Sequence, residues 1–123
     1  MRHIFALLAA LAALPAAHAD GDASAGKQLY AARCAACHSL EYNGVGPTHK
    51  NLAGRKAGSV PGYSYSNALK QSGVTRNEET LTRWLSDPEK FIPGQKMFIS
   101  IPDPRERSDL VAFLMQATRE KGK

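Results

Sequence analysis

Apolar side chains recur at helical intervals near the C-terminus of the chain. They are Leu110, Phe113, Leu114 and Ala117. Positions i, i+3, i+4 and i+7 share one face of an α-helix, so this face is predicted to be buried. The start of the helix is also marked, because Asp103 is a good N-cap, Pro104 suits the first helical position and Glu106 follows three residues after the cap.

Two earlier stretches have helical patterning as well. A first helix is predicted from about Asp22, a suitable N-cap, to about Cys34. Gly26 lies inside it at a cost of about 1 kcal/mol relative to alanine, which indicates close approach by another element. A later helix is predicted to open at Thr75-x-x-Glu78, read as a capping box. Its predicted buried residues are Leu81, Trp84 and Leu85.

Glycine and proline keep the rest of the chain irregular. Residues 41–66 and 90–104 contain too many of them for a long helix or strand, and one short helix, Asn67–Gln71, fits between these loops. Loops of this length in a compact domain are either functional or disordered, and an enclosed cofactor would account for them. No stretch alternates in the manner of a strand, so the predicted fold class is all-α, with long loops in a single domain.

The N-terminal residues have the pattern of a secretory signal peptide. A short basic start is followed by an apolar run from Ile4 to Leu14, by Pro15 and by the small-x-small sequence Ala17-His18-Ala19. We therefore expect residues 1–19 to be cleaved and residues 20–123 to form the domain. The apolar run is about half the length needed to cross a bilayer, and an uncleaved signal anchor is the alternative.

Composition and charge narrow the class of protein. The chain has 123 residues, of which 43% are hydrophobic, and its two cysteines fall in one motif, so none is left for a structural disulfide. A small domain of this kind needs another source of apolar burial. The formal net charge of +5 is too mild to indicate a nucleic-acid partner, and no long basic run or interleaved aromatic pattern supports one.

The motif itself is Cys34-Ala35-Ala36-Cys37-His38. Two cysteines three residues apart, followed directly by histidine, form the attachment pattern for a covalent c-type haem. On a helical turn both thiols lie on one face and can reach two vinyl groups on one porphyrin edge, while the imidazole of His38 comes to the iron. A redox dithiol is one alternative, but it belongs at a helix start in a βαβ unit. A zinc site is the other, but it usually needs four protein ligands.

A second iron ligand must come from elsewhere in the chain. Met115 lies beside the buried stripe of the C-terminal helix and is interpreted as a core residue. His49 follows His38 closely, within a glycine-rich loop, and is interpreted as a solvated loop histidine. Met97 lies in a proline-bounded loop far enough along the chain to close over the opposite haem face, and we predict that it is the ligand. Histidine–methionine ligation raises the reduction potential and favours electron transfer.

From Gly21 to about Thr118 the chain resembles the class I cytochromes c, the mitochondrial and bacterial electron carriers. The matching segments are Gly26-Lys27 with Tyr30, the Cys34–His38 motif, Gly46-Pro47, Gly54-Arg55-Lys56, Pro61-Gly62-Tyr63-Ser64-Tyr65, Thr80-Leu81, Ile92 to Met97, and Arg107 to Leu110. The resemblance implies a fold in which the N- and C-terminal helices cross and loops wrap around one haem, covalently bound through Cys34 and Cys37.

The same resemblance implies roles for further residues. Pro47 should accept a hydrogen bond from the Nδ1–H of His38, which would fix the imidazole. Trp84 stands where the family usually has a tyrosine near the methionine ligand. Gly26 and Tyr30 should cross the C-terminal helix. The residues expected around a haem propionate are Arg55, Tyr63 and Tyr65.

The chain also departs from the family's pattern. Arg76 replaces a tryptophan near a propionate and could pair with that propionate or face solvent. Gln95 replaces a threonine after Pro-Gly, which puts the stability of the Met97 loop in question. Ile99 replaces an aromatic residue and Leu69 replaces a buried asparagine.

The predicted function is a periplasmic electron carrier that is not an enzyme, is monomeric and is not inserted in the membrane. Its partners would be membrane redox complexes or other redox proteins, which dock at the haem edge through a ring of positive charge interrupted by Glu89. The members of this ring are Arg33, Lys90 and Lys96, with Lys27 as a further candidate. The alternatives are a haem enzyme or gas-binding protein with a displaceable methionine, and an electron-transfer subunit of a larger or membrane-tethered complex.

Overall fold

The computed structural model describes residues 21–120. It has five helices over this range: α1 (Ala23–Arg33), α2 (Asn67–Gln71), α3 (Glu78–Ser86), α4 (Pro88–Phe91) and α5 (Pro104–Thr118). These residues form no strand, and the one β-bridge among them joins Lys56 to Thr75. The all-α prediction is therefore correct. The expected signal peptide of residues 1–19 and the start of the domain at Asp20 lie outside the described residues.

Helices α1 and α5 cross in close contact at Gly26. A Cβ atom at this glycine would lie 1.9 Å from the carbonyl oxygen of Asp109 and 2.8 Å from the Cβ of Phe113. One turn along, the rings of Tyr30 and Phe113 lie 5.3 Å apart. The helix-interior glycine is thus explained by the backbone contact that it permits, as predicted.

The predicted helix starts are right for α1 and α5 and wrong for α3. Asp22 and Asp103 accept hydrogen bonds from the first-turn amides of their helices. In α3 the N-cap is Asn77, whose side chain accepts from the Thr80 amide while the Thr80 hydroxyl accepts from the Asn77 amide. Thr75 does not open the helix, because it is held in the bridge to Lys56.

The buried face of α5 also differs from the predicted face in its last turn. Leu110, Phe113 and Leu114 are buried as expected, but Ala117 is exposed and Thr118 is buried in its place. The Thr118 hydroxyl donates to the Leu114 carbonyl and accepts from the amide of Ala53, so the last turn of the helix faces the 41–66 loop.

The core lies where α1, α3 and α5 meet the long loops. Its most buried members are Ile101, Leu110, Val111, Leu81 and Leu114. The predicted second loop begins later than expected, because Asp87 caps the short helix α4 and draws Lys90 into it. The loop residues that follow α4 and those of 41–66 line the same cavity.

Candidate cofactor site

All nine residues predicted to form the site line a single cavity of about 370 Å³. They are Cys34, Cys37, His38, Pro47, Arg55, Tyr63, Tyr65, Trp84 and Met97. Apolar side chains from the core, Leu52, Leu69, Leu81 and Leu85 among them, complete the walls. A largely apolar cavity with a few polar groups is the usual form of a cofactor site.

The two cysteines lie on a turn that continues past the end of α1. The amides of Cys37 and His38 both donate to the Cys34 carbonyl, at 3.1 and 2.9 Å, so the motif is wound like a helical turn and both thiols reach the cavity. Burial raises the pKa of Cys34 to about 11. A reactive dithiol needs a lowered thiol pKa, so this environment disfavours the redox-dithiol alternative.

A metal ion held by protein side chains alone, as in the zinc alternative, has no support either. Within residues 21–120, no group of three or more histidine, cysteine, aspartate or glutamate side chains is placed to hold a metal ion. The zinc alternative is therefore disfavoured in the part of the chain that the structure describes.

The imidazole of His38 has a fixed orientation. Its Nδ1 lies 2.8 Å from the Pro47 carbonyl oxygen, and because a carbonyl can only accept, Nδ1 carries the proton and Nε2 keeps a free lone pair. Burial lowers the pKa of His38, so the ring is neutral near pH 7. The preceding Gly46 is needed here, since a Cβ on it would lie 2.4 Å from the His38 ring.

The interpretation of His49 as a solvated loop histidine is wrong. Its ring stacks on His38 with centroids 4.0 Å apart and planes inclined by 18°. Its Nδ1 lies 3.0 Å from the Tyr30 hydroxyl, and burial holds its pKa well below the ordinary value. Sequence reasoning missed this contact, although a signal was present: His49 comes two residues after Pro47, whose carbonyl contacts the same imidazole.

Met97 is half-buried at the cavity, and its loop is held by two polar side chains. The buried side-chain oxygen of Gln95 accepts a hydrogen bond from the Met97 amide. The carboxylate of Glu89 accepts from the Gly94 amide at 2.9 Å and from the Gln95 side-chain amide at 3.1 Å. Glu89, read from the sequence as a gap in a positive ring, therefore braces the methionine loop, although Glu89 itself is exposed.

The polar wall of the cavity contains two arginines with different surroundings. Arg55 donates to the backbone carbonyls of Thr48 and Lys50. Arg76 is only 6% exposed, and its Nη1 has no hydrogen-bond partner. The alternative that Arg76 faces solvent is therefore excluded by its burial.

The two tyrosines expected at a propionate also have backbone partners. The Tyr63 hydroxyl donates to the Val45 carbonyl at 2.7 Å, and the Tyr65 hydroxyl accepts from the Val60 amide at 3.2 Å. Because the Tyr65 hydroxyl accepts in this contact, its own proton remains available to a ligand in the cavity.

This donor set fits a c-type haem. The macrocycle is apolar, as most of the walls are, and an unsatisfied buried guanidinium suits a propionate carboxylate. Two thiols at the rim, a neutral imidazole and a thioether are the groups that could attach the porphyrin and hold its iron. The site thus accommodates both the apolar and the charged parts of the cofactor.

Two residues of the predicted positive ring, Arg33 and Lys96, line this cavity, and the third, Lys90, is exposed in α4. Arg33 is partly neutralised, because its guanidinium lies 3.4 Å from the Glu106 carboxylate. Lys96 is the exposed lysine next to Met97. None of the helices in residues 21–120 has the length and apolar character that a bilayer crossing requires.

Comparison with known proteins gives a consistent result. A family model for cytochrome c matches residues 23–118. Cytochrome c from Cochliobolus lunatus is 48% identical over 104 residues, covering 81% of this chain and 96% of that protein. Cytochrome c2 from Rhodomicrobium vannielii is 43% identical over 110 residues, covering 86% and 87%.

A solved structure gives the same assignment. Cytochrome cH from Methylobacterium extorquens has a TM-score of 0.74 and 49% identity to this chain, covering 78% of this chain and 99% of that one. The family match includes all five helices and every residue predicted for the site. The chain therefore belongs to the cytochrome c family, as its resemblance to the class I members indicated.

Proposed function

We propose that this chain is a periplasmic carrier of single electrons whose one covalent haem is held by His38 and Met97. The observation that carries the proposal is that an imidazole with a free Nε2 and a thioether line the same apolar cavity as the two cysteines of the attachment motif. Membership of the cytochrome c family implies the haem and the electron-carrier role.

Each residue of the site has a distinct task in this proposal. When bound, the haem supplies the ferrous–ferric couple. Cys34 and Cys37 anchor it as thioethers, and the Pro47 carbonyl keeps Nε2 of His38 directed to the iron. Gln95 holds the backbone of Met97 in place. A thioether ligand favours the ferrous state and so raises the reduction potential.

The mouth of the cavity supports electron exchange with a protein partner. Cys37 is exposed, and so are Val45, Phe98 and Ile99, which line the same cavity. Lys96 adds positive charge beside them. In our proposal an acidic redox partner docks over this rim, brought there by the lysine and packed against the apolar side chains.

Periplasmic location and removal of residues 1–19 are part of the same proposal. The leader-like pattern before Asp20 supports them. N-terminal sequencing and fractionation of the producing cells test them. A mature start near Asp20 in the periplasmic fraction is expected, and an intact leader in the membrane fraction would favour the tethered alternative.

The ligand assignment predicts a specific response to Met97→Ala. Absorption spectra of the purified protein in both redox states should show a c-type haem. The variant should bind carbon monoxide rapidly in the ferrous state and have a lower reduction potential, because the iron has lost its thioether ligand. Met115→Ala is the matched control, since Met115 packs against the core away from the cavity, and it should behave like the wild type.

Two results would contradict this proposal. A purified protein without a c-type haem spectrum would remove its basis. Fast carbon monoxide binding by the wild-type protein at neutral pH would instead favour the gas-binding or enzymatic alternative, which needs an open iron position.

A further inference from the structure

Two guanidinium groups are brought to one wall of the cavity by the backbone. The amide of Arg76 donates to the Arg55 carbonyl at 2.8 Å, and the amide of Gly54 donates to the Arg76 carbonyl at 2.7 Å. This antiparallel contact, next to the Lys56–Thr75 bridge, joins the 41–66 loop to the segment before α3. Arg55 and Arg76 consequently line the cavity together.

No carboxylate of the described residues neutralises either charge. The ion pairs found in residues 21–120 join Arg33 to Glu106 and Arg105 to Asp109, and neither includes Arg55 or Arg76. Burial, followed by the nearby charge of Arg55, lowers the pKa of Arg76 to about 10, so Arg76 is still a cation at pH 7. A buried cation without a partner is costly, which points to an anion that enters with a ligand.

The guanidinium N–H groups that lack a hydrogen-bond partner at this wall belong mainly to Arg76. Two nitrogens of Arg55 are already used by backbone carbonyls, whereas Nη1 of Arg76 is buried without a partner. The Arg76 guanidinium also packs over the Trp84 ring, with its Cζ 4.6 Å from the ring centroid. Stacking of this kind restricts the plane of the guanidinium and leaves its N–H groups at the edge of that plane free to donate.

We propose that Arg76 binds a carboxylate of the haem propionates through Nη1, as a buried guanidinium beside the half-buried Arg55. This inference rests on the proposed function, because it requires a haem in the cavity. Arg76 would thus add a second positive charge at this wall of the cavity to that of Arg55. The extra charge should keep the propionate ionised and favour the ferrous state of the iron.

The test compares reduction potentials of the purified haem-loaded wild type, Arg76→Gln and Arg76→Lys between pH 5 and 9. In the wild type the propionate should stay ionised, and the potential should change little with pH. Arg76→Gln should shift the equilibrium toward ferric iron by roughly tenfold at pH 7. It should also make the potential pH-dependent, as a propionate of raised pKa titrates within the range. Arg76→Lys keeps the charge and should lie closer to the wild type.

Arg83→Gln is the matched control, because Arg83 also packs over an aromatic ring, that of Phe91, with its Cζ 4.3 Å from the centroid, but lies exposed outside the cavity. It should leave the potential and its pH profile unchanged. Infrared spectra of Arg76→Gln should show a protonated carboxylic acid band at low pH that the wild type lacks.

The outcomes separate this inference from the proposed function. If Arg76→Gln carries haem normally but has the wild-type potential and pH profile, Arg76 does not bind a propionate, although the carrier proposal stands. The same follows if Arg83→Gln shifts the potential equally. If Arg76→Gln does not mature, the wild type decides: a propionate that stays ionised down to pH 5, with no carboxylic acid band, supports charge pairing, and a carboxylic acid band that appears near neutral pH opposes it. Absence of haem from the wild type would defeat both proposals.

Discussion

At the scale of single residues, the site is defined by what surrounds His38. Pro47 fixes one ring nitrogen, Gly46 leaves room for the ring and His49 stacks on its face. The stack links the imidazole to α1 through the Tyr30 hydroxyl. Orientation of the proposed iron ligand therefore depends on three neighbours within a short stretch of loop.

Gly46→Ala should disturb this arrangement. The new Cβ would lie 2.4 Å from Cε1 of His38, and relief of such overlap typically costs about 1–3 kcal/mol. We expect the free energy of unfolding of the haem-loaded protein to fall by about that amount, measured by denaturant titration. Gly44→Ala is the control, because its nearest contact is the Cys37 carbonyl oxygen at 3.3 Å. Equal stability of the two variants would contradict the steric explanation.

At the scale of elements, two contacts hold the loops around the cavity. One is the α1–α5 crossing, which fixes the start of the haem-attachment turn. The other is the set of hydrogen bonds from Glu89 and Gln95 to the Met97 loop. The first joins two helices, and the second joins α4 to the loop that carries Met97.

Gly26→Ala tests the helix crossing. Helix propensity alone would make this change stabilising by about 1 kcal/mol. The contact with the Asp109 carbonyl reverses the sign, and we expect a net loss of about 2 kcal/mol in the free energy of thermal or denaturant unfolding. Ala31→Gly, at an exposed position of the same helix, should cost about 1 kcal/mol and calibrates the propensity term. A stabilised Gly26→Ala variant would show that the helices separate easily.

Gln95→Leu tests the brace on the Met97 loop. Loss of its hydrogen bonds, at about 1 kcal/mol each, should let added imidazole displace Met97 from the ferric iron roughly tenfold faster, measured by stopped-flow absorbance. Gln71→Leu, at an exposed position of α2, provides the control. An unchanged displacement rate in Gln95→Leu would mean that the loop is held by other contacts.

At the scale of the whole molecule, charge is distributed unevenly around the cavity. One wall carries the half-buried Arg55 and the buried Arg76, and the open side carries Lys96 beside an apolar rim that includes Phe98, which is 89% exposed. Arg33, expected to belong to the positive ring, is paired with Glu106. Lys96 is therefore the member of the ring that we expect to influence docking most.

Lys96→Glu should slow association with an acidic redox partner at low salt and have less effect at high salt, because exposed charges are screened. Stopped-flow electron-transfer rates over a range of ionic strengths measure this. Arg119→Glu makes the same change in net charge beyond the end of α5 and away from the cavity, so its effect should be small. Equal rates for Lys96→Glu and wild type at every salt concentration would exclude steering by this lysine.

Local sequence patterns were sufficient to predict most of the helices and to identify the Cys34–His38 motif. Asp22 and Asp103 cap their helices as predicted because capping depends on residues only two or three positions away. The haem-attachment motif is equally local, since its cysteines and histidine lie on one turn. The predictions were wrong where contacts between residues far apart in the sequence determine the structure. Thr75 pairs with Lys56 in a β-bridge, and the buried Thr118 accepts a hydrogen bond from the Ala53 amide.

The sequence by itself determined the all-α class, the attachment motif and the N-caps of α1 and α5, because each depends on residue type and short spacing. The tertiary structure alone decided that His49 stacks on His38, that Glu89 and Gln95 brace the methionine loop and that Nη1 of Arg76 is buried without a hydrogen-bond partner. These facts concern the packing of loops against one another. Burial and hydrogen-bond satisfaction in such loops are set by backbone paths that local patterns do not specify.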